Sequence, residues 1–260
     1  MATISTARSA TALSPDELAQ FDRDGYLRLG TVIDEAELRA LQDRINAIML
    51  GDIRYDGMLM QLDSETGNYA DVPRQTPGFK GATLGYRKIQ DLERDPVFLA
   101  FMQRPLIRSI CEQLVGPDIS IYRSMFMNKP ARRGTLLPWH QDGGRIWDLT
   151  IDPIITLWLA LDPATVANGC VQVIPGSHRL GLLSEQGHTI TPEQEATHCP
   201  EEAIVHLELE PGEMVLLHNF LLHRSDRNQT DIPRRAFSLC LMDAATRHRE
   251  HAEREFFKLF

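Results

Sequence analysis

The 260-residue sequence predicts a mainly β protein, a jelly roll of two sheets with helices braced against one outer face. Two observations carry this reading. Helix-start signals crowd the first half, whereas the second half shifts to short alternating or wholly apolar runs punctuated by turns such as Pro175-Gly176 and Pro211-Gly212.

The helices come first. Ser14-Pro15-Asp16-Glu17 is a capping box with Pro at the first helical position, and Leu18 and Phe21 then share one face. Asp34-Glu35-Ala36-Glu37 opens a second helix whose apolar stripe is Leu38, Leu41, Ile45 and Met49. A third starts at Pro105, turns Leu106, Ile107, Ile110 and Leu114 inward, and ends at Gly116-Pro117. Strands are predicted over 119–127, 156–161, 171–174, 203–210, 213–217 and 235–242, the fourth and fifth joined at Pro211-Gly212. Two stretches, 51–80 and 181–200, resist a regular reading, and loops of that length in a compact domain are commonly lids or binding loops. Residues 1–13, small and hydroxylic, read as a flexible tail ahead of one domain over 14–260.

Composition narrows the function. A net charge of −9 argues against a nucleic-acid binder, which needs a basic face. Cys111, Cys170, Cys199 and Cys240 lie far apart with no C-x-x-C pair, the pattern of reduced thiols in a cytoplasmic protein. No run approaches the roughly 18 apolar residues of a membrane span.

The chemistry concentrates at Trp139-His140-Gln141-Asp142. Residues i and i+2 of a strand point the same way, so His140 and Asp142 face one ion, and Gly143-Gly144 lets the chain turn off behind them. Two His and one carboxylate bind ferrous iron on one face and leave the opposite positions open. Other His-x-carboxylate pairs are decoys: His206-Leu207-Glu208 sits on a solvated strand face, and His248 to Glu253 reads as a charged helical tail where i and i+2 diverge. The third ligand has two candidates. His223 follows an apolar strand and precedes a polar turn, while His218, five residues earlier, points to the opposite face of a regular strand. Arg234 then shares a strand face with the small residues Ala236, Ser238 and Cys240, the composition of a cavity wall, and its planar guanidinium suits a buried carboxylate. Ser225, on the face of His223, adds a hydroxyl donor to the same group.

With these residues in place the chain resembles the phytanoyl-CoA dioxygenase family of Fe(II)- and 2-oxoglutarate-dependent oxygenases. The likeness runs through Phe21 to Tyr26, Lys88-Ile89-Gln90-Asp91, Asn128-Lys129-Pro130, His140-Gln141-Asp142, Thr156 to Leu161, Asn168-Gly169-Cys170, Pro175 to His178, and His223-Arg224-Ser225 leading to Arg234. The resemblance implies a double-stranded β-helix (cupin-like) core. It also implies Fe(II) on His140, Asp142 and His223, and 2-oxoglutarate on Arg234 and Ser225 with Lys88, Met125, Gln141 and Trp158 as further contacts. With O2 as the third reactant, the expected reaction hydroxylates an unactivated carbon of a small metabolite and releases succinate and CO2. Related halogenases carry a small residue in place of the carboxylate ligand; Asp142 favours hydroxylation. Two other readings keep the fold but not the reaction: a metal-free jelly-roll binding or regulatory module, and a cupin-like metalloenzyme that does not use 2-oxoglutarate. Arg132, Arg133, Arg145 and Trp147 flank the metal strand, which points to a substrate with an acidic or polar handle met by Arg145 and Trp147.

Overall fold

The computed structural model describes residues 7–184, 186–251 and 253–260. In chain order the helices are α1 (Pro15–Asp24), α2 (Glu35–Leu50), α3 (Pro96–Met102), α4 (Pro105–Leu114) and α5 (Pro192–His198). The strands are β1 (Tyr26–Thr31), β2 (Leu59–Leu62), β3 (Thr76–Pro77), β4 (Tyr86–Gln90), β5 (Ile119–Lys129), β6 (Leu137–Gln141) and β7 (Ile155–Ala160). They continue with β8 (Val171–Val173), β9 (His188–Thr189), β10 (Val205–Leu207), β11 (Glu213–His218), β12 (His223–Ser225) and β13 (Arg234–Asp243).

Local sequence explains the helix boundaries. Ser14 and Asp34 each accept from the backbone N–H three residues on, while Glu17 and Glu37 reach back to the cap backbone, closing two capping boxes. Gly25 and Gly51 end α1 and α2 in the left-handed region, at φ 75° and 85°. Both predicted starts are therefore found.

The strands form two antiparallel sheets. Among the described residues one runs β1-β11-β7-β13-β5-β4-β2-β3 and the other β10-β8-β12-β6-β9. Trp158, Ala160, Val215 and Leu217 of the first pack against Val171, Val173 and Leu207 of the second, which makes the jelly-roll interior. The opposite face of the large sheet carries Phe126, Leu157, Leu159, Leu216, Phe237 and Leu239, and covers itself with Leu41, Ile45, Ile48, Phe98 and Ile110 of the helices. Fully burying Ile45, Ile48 and Met49 stabilises this layer by about 2 kcal/mol each. The alternation predicted for the last strand is also present: Phe237, Leu239 and Leu241 enter the helix-backed core and Arg234 and Ser238 the cavity between the sheets.

The strands within 203–217 join at Pro211-Gly212, which carries the chain across the sandwich edge from β10 of one sheet to β11 of the other. Three expectations change. Residues 8–13 of the predicted tail are tied down: Arg8 donates its backbone N–H to Thr31 and pairs with Glu17, and Leu13 is buried with its backbone bonded to the Gln113 side chain. Residues 1–6 lie outside those described. The segment around 248 is not helical; His248 bridges Leu149, and the final residues dock along β5 through Phe257 and Phe260 backbone bonds to Ile121 and Ile119. The two unassigned stretches hold β2 and β3, and β9 and α5.

Candidate active site

His140 and His223 are direct cross-strand partners of β6 and β12, so their rings meet with centroids 3.9 Å apart. Each imidazole is fixed from behind. Nδ1 of His140 donates to the Pro138 carbonyl at 2.8 Å and Nδ1 of His223 to the Leu221 carbonyl at 2.8 Å, which leaves both Nε2 atoms for a shared ligand. Asp142 follows β6, its backbone N–H bonded to the Asn219 carbonyl at 2.8 Å, and its Oδ2 lies 3.9 Å from His223 Nε2. The structure thus gathers the three residues that the sequence singled out. Burial, reinforced by the neighbouring imidazoles of His223 and His188, holds His140 well below the usual histidine range, the neutral state a metal requires.

A third imidazole joins them. Donor atoms of His140, Asp142 and His188 all lie within 4.8 Å of one another. His188 begins β9 with φ 69°, strained for a residue with a Cβ, and its Nε2 is hydrogen-bonded to the Tyr69 hydroxyl at 2.6 Å. The two stretches that resisted a regular reading therefore touch over the cluster, one sending Tyr69 and the other His188. Burial brings His188 down to about 4, against the pull of Asp142 in the other direction. Backbone packing is unusually close here: a Cβ on Gly187 would stand 1.8 Å from the Gly143 carbonyl oxygen, so Gly143-Gly144 and Gly187 interlock as bare backbone.

His218 stays apart from the cluster, packed on His178 and Phe21 with its Nδ1 accepting from Phe220 N–H. His178 fixes a turn, its Nε2 bonded to the Asp22 carbonyl.

The cavity beside the cluster is lined by Lys88, Met125, Trp158, Ser225 and Arg234. Arg234 is 3% exposed, and its Nε and Nη1 atoms have no hydrogen-bond partner. Its nearest support is the face of Trp158, 5.3 Å from the ring centroid. Burial lowers it to about 10, so it remains cationic. Arg235 next to it is the opposite case, bidentate to Asp162 at 2.7 Å with Nη1 on Asn46. A buried guanidinium with unmet donors is costly, and an anion in the cavity removes that cost. Lys88 is enclosed alongside and pushed down to about 7, first by burial and then by Arg87 and Arg123.

Three expected contacts are not in this cavity. Gln141 points to the other face of β6, donating to the Gly181 and Phe220 carbonyls and accepting from Leu183 N–H. Strand alternation demands this of a residue between His140 and Asp142. Arg145 lines a separate surface depression with Asp152 and Arg249. Trp147 is buried behind the cavity wall, its ring tilted against that of Tyr122 with centroids 4.6 Å apart. Arg132 is committed to an exposed ion pair with Asp231.

Residues 21–236 match the family model described as phytanoyl-CoA dioxygenase (PhyH). The chain belongs to the phytanoyl-CoA dioxygenase family. Similar relatives include phytanoyl-CoA dioxygenase 1 of Oryza sativa subsp. japonica, 29% identical over 90% of each chain. A probable phytanoyl-CoA dioxygenase of Caenorhabditis elegans is 27% identical over 89% of this chain and 76% of the relative. Among solved structures, EctD from S. alaskensis with 2-oxoglutarate and 5-hydroxyectoine superposes with a TM-score of 0.72 at 23% identity, covering 94% of this chain and 80% of that one. The carbocyclase SnoK from nogalamycin biosynthesis gives 0.71 at 21%, covering 94% and 90%. These two likenesses establish the fold. As a member of the phytanoyl-CoA dioxygenase family, with a His-Asp-His cluster beside a buried cation, the protein is an Fe(II)- and 2-oxoglutarate-dependent dioxygenase. Among the described residues no helix is long and apolar enough to cross a membrane.

Proposed function

We propose that His140, Asp142 and His223 hold the iron, that Arg234 with Ser225 and Lys88 binds 2-oxoglutarate against Met125 and Trp158, and that residues 14–260 act as one domain hydroxylating a small metabolite. The observation that carries this reading is the orphaned, buried Arg234 guanidinium opening on the same cavity as the His-Asp-His cluster. Bound there, iron supplies the oxidative decarboxylation of 2-oxoglutarate by O2 to succinate and CO2, coupled to oxygen insertion into a C–H bond. His223 is favoured over His188 because its Nδ1 is anchored to backbone, leaving Nε2 available, whereas Nε2 of His188 is engaged by Tyr69. EctD, crystallised with 2-oxoglutarate and 5-hydroxyectoine, is a neighbour of the same fold. The four cysteines are free thiols, in keeping with a cytosolic enzyme.

The protein's share is orientation and exclusion of water. Arg234 and Ser225 fix the distal carboxylate, the flat face of Trp158 keeps the guanidinium in plane, and backbone bonds behind His140 and His223 prevent ring rotation. Adding Fe(II) and 2-oxoglutarate without oxygen should give the weak visible charge-transfer band of the chelate. Metal binding without that band would sink the 2-oxoglutarate assignment, and a screen for substrate-dependent succinate release then identifies the reaction.

Lys88 gives the binding step a pH signature. Its folded value of about 7 means that above neutrality the free site holds a neutral amine, and an arriving carboxylate raises that value again. Binding to the metal-loaded protein should take up a proton at about pH 8 and none at about pH 6, read as buffer-dependent calorimetric enthalpy. Affinity should weaken by up to about tenfold per pH unit above 7. Lys88→Met should remove the buffer dependence; if it persists unchanged, another group titrates.

A further inference from the structure

Arg123 faces the same cavity, and neither the iron nor 2-oxoglutarate accounts for it. Strand alternation puts it there with Met125 and Met127, and a fault in the sheet sets Tyr122 beside it. Between β5 and β13 the register runs Arg123 with Cys240 and then Ile121 with Leu241, so Tyr122 is an extra residue bulged out of the ladder. A bulge rotates the following side chains and is a usual means of re-aiming one residue beside a site. Here it places Tyr122 and Arg123 side by side: the guanidinium carbon lies 4.6 Å from the Tyr122 ring centroid and 4.8 Å from that of Trp147, and Nη2 donates to the Tyr122 hydroxyl at 3.0 Å. Aromatic faces orient the cation without neutralising it. Among the described residues no carboxylate lies within ion-pair distance of Arg123.

Arg123, Arg224 and Arg234 all line the cavity, but Arg224 is engaged by Gln172 and the Trp139 ring, and Arg123 and Arg234 stand at opposite ends of the β13 face. Arg234 and Cys240 are six positions apart on β13, about 20 Å of extended strand. Ser225, two residues from His223, marks the Arg234 end. At the other end Asn219 ties Asp142 to the Arg123 register, accepting from the Asp142 backbone N–H and donating to Cys240 Sγ at 3.3 Å.

We infer that Arg123, oriented by Tyr122 and Trp147, anchors a carboxylate on the substrate, so that the enzyme oxidises a small organic acid whose reacting carbon lies between that carboxylate and the metal. The inference rests on the oxygenase reading above and adds the substrate class to it. A single planar guanidinium set against two adjoining rings matches a planar carboxylate through its free edge, whereas a phosphate dianion asks for further donors.

Ligand-detected saturation-transfer NMR on protein loaded with Zn(II) and saturating 2-oxoglutarate tests this without turnover. The probes are short linear and aromatic monocarboxylates, each beside its uncharged primary amide and a phosphate monoester of similar size. Carboxylates should bind and their amides should not; Arg123→Gln should weaken carboxylate binding by at least about tenfold, with Arg123→Lys recovering part of it. Arg132→Gln, on the exposed ion pair, should leave carboxylate binding as it was. Amides or phosphate monoesters binding as well as the acids, no acid binding at all, or full binding by Arg123→Gln would overturn the assignment. The amide comparison uses the wild-type protein and does not depend on the variants folding. The charge-transfer band of the wild-type iron chelate reads the oxygenase assignment separately, so its failure is distinguishable from failure at Arg123.

Discussion

Alanine at position 223 should cost more than about 100-fold in divalent-metal affinity, beyond the range expected for loss of a residue that only supports a ligand, whereas alanine at 188 should cost about tenfold or less. The reason lies in how the two imidazoles are held. Nδ1 of His223 is anchored to the Leu221 carbonyl, so Nε2 is presented with no conformational freedom left to lose. His188 stands in a strained left-handed conformation and is engaged by Tyr69, a posture that covers the cluster rather than completing it. Titration with Co(II), followed by its visible ligand-field bands, measures both affinities directly. If His188→Ala were the more damaging change, the triad would be His140, Asp142 and His188, and His223 would become the supporting residue. Succinate release should follow the metal, falling to background in His223→Ala.

Arg234→Met should separate binding from folding. Removing one partner of a buried charged contact costs about 2–5 kcal/mol, so 2-oxoglutarate affinity should fall by about 30-fold or more. The free protein should lose nothing, and its melting temperature should hold or rise, because an apolar side chain replaces a buried cation whose Nε and Nη1 have no partner. Arg235→Met should behave in reverse. That guanidinium is bidentate to the buried Asp162, and breaking the pair strands a carboxylate at a cost of about 3–5 kcal/mol. Thermal melts with and without 2-oxoglutarate distinguish the two: ligand-induced stabilisation should vanish in the first and survive in the second. Equal loss of fold stability in both would remove the anion-clamp role from Arg234.

What the sequence revealed and concealed follows from the range of each signal. His140, Asp142 and Arg234 were legible because strand alternation is local and assigns side chains to faces without knowledge of the partner strand. The same rule places Gln141 on the far face, where it holds the loop around Gly181, and the family likeness alone had put it against 2-oxoglutarate. His188 and Tyr69 were invisible because both lie in stretches without periodicity, and only the folded chain brings them within 2.6 Å. Arg123 was legible by the same alternation, since it shares the cavity face of Met125 and Met127, whereas the bulged Tyr122 beside it was not. Arg145 and Trp147 were drawn in by nearness to the metal strand, yet the turn at Gly143-Gly144 sends one to the surface and the other into the packing behind Arg123. The sheet partners of the two strands within 203–217 were not legible, because adjacent strands need not share a sheet in a sandwich.

The bare-backbone contact of Gly187 with Gly143-Gly144 decides where this architecture can be remodelled. With no side chain between the two segments, there is nothing to trim for extra room and no space for even a methyl group. A descendant accommodating bulkier molecules would therefore have to widen its entrance from the Tyr122 side, where whole aromatic rings are available to shorten, while the rim beside the aspartate keeps its dimensions.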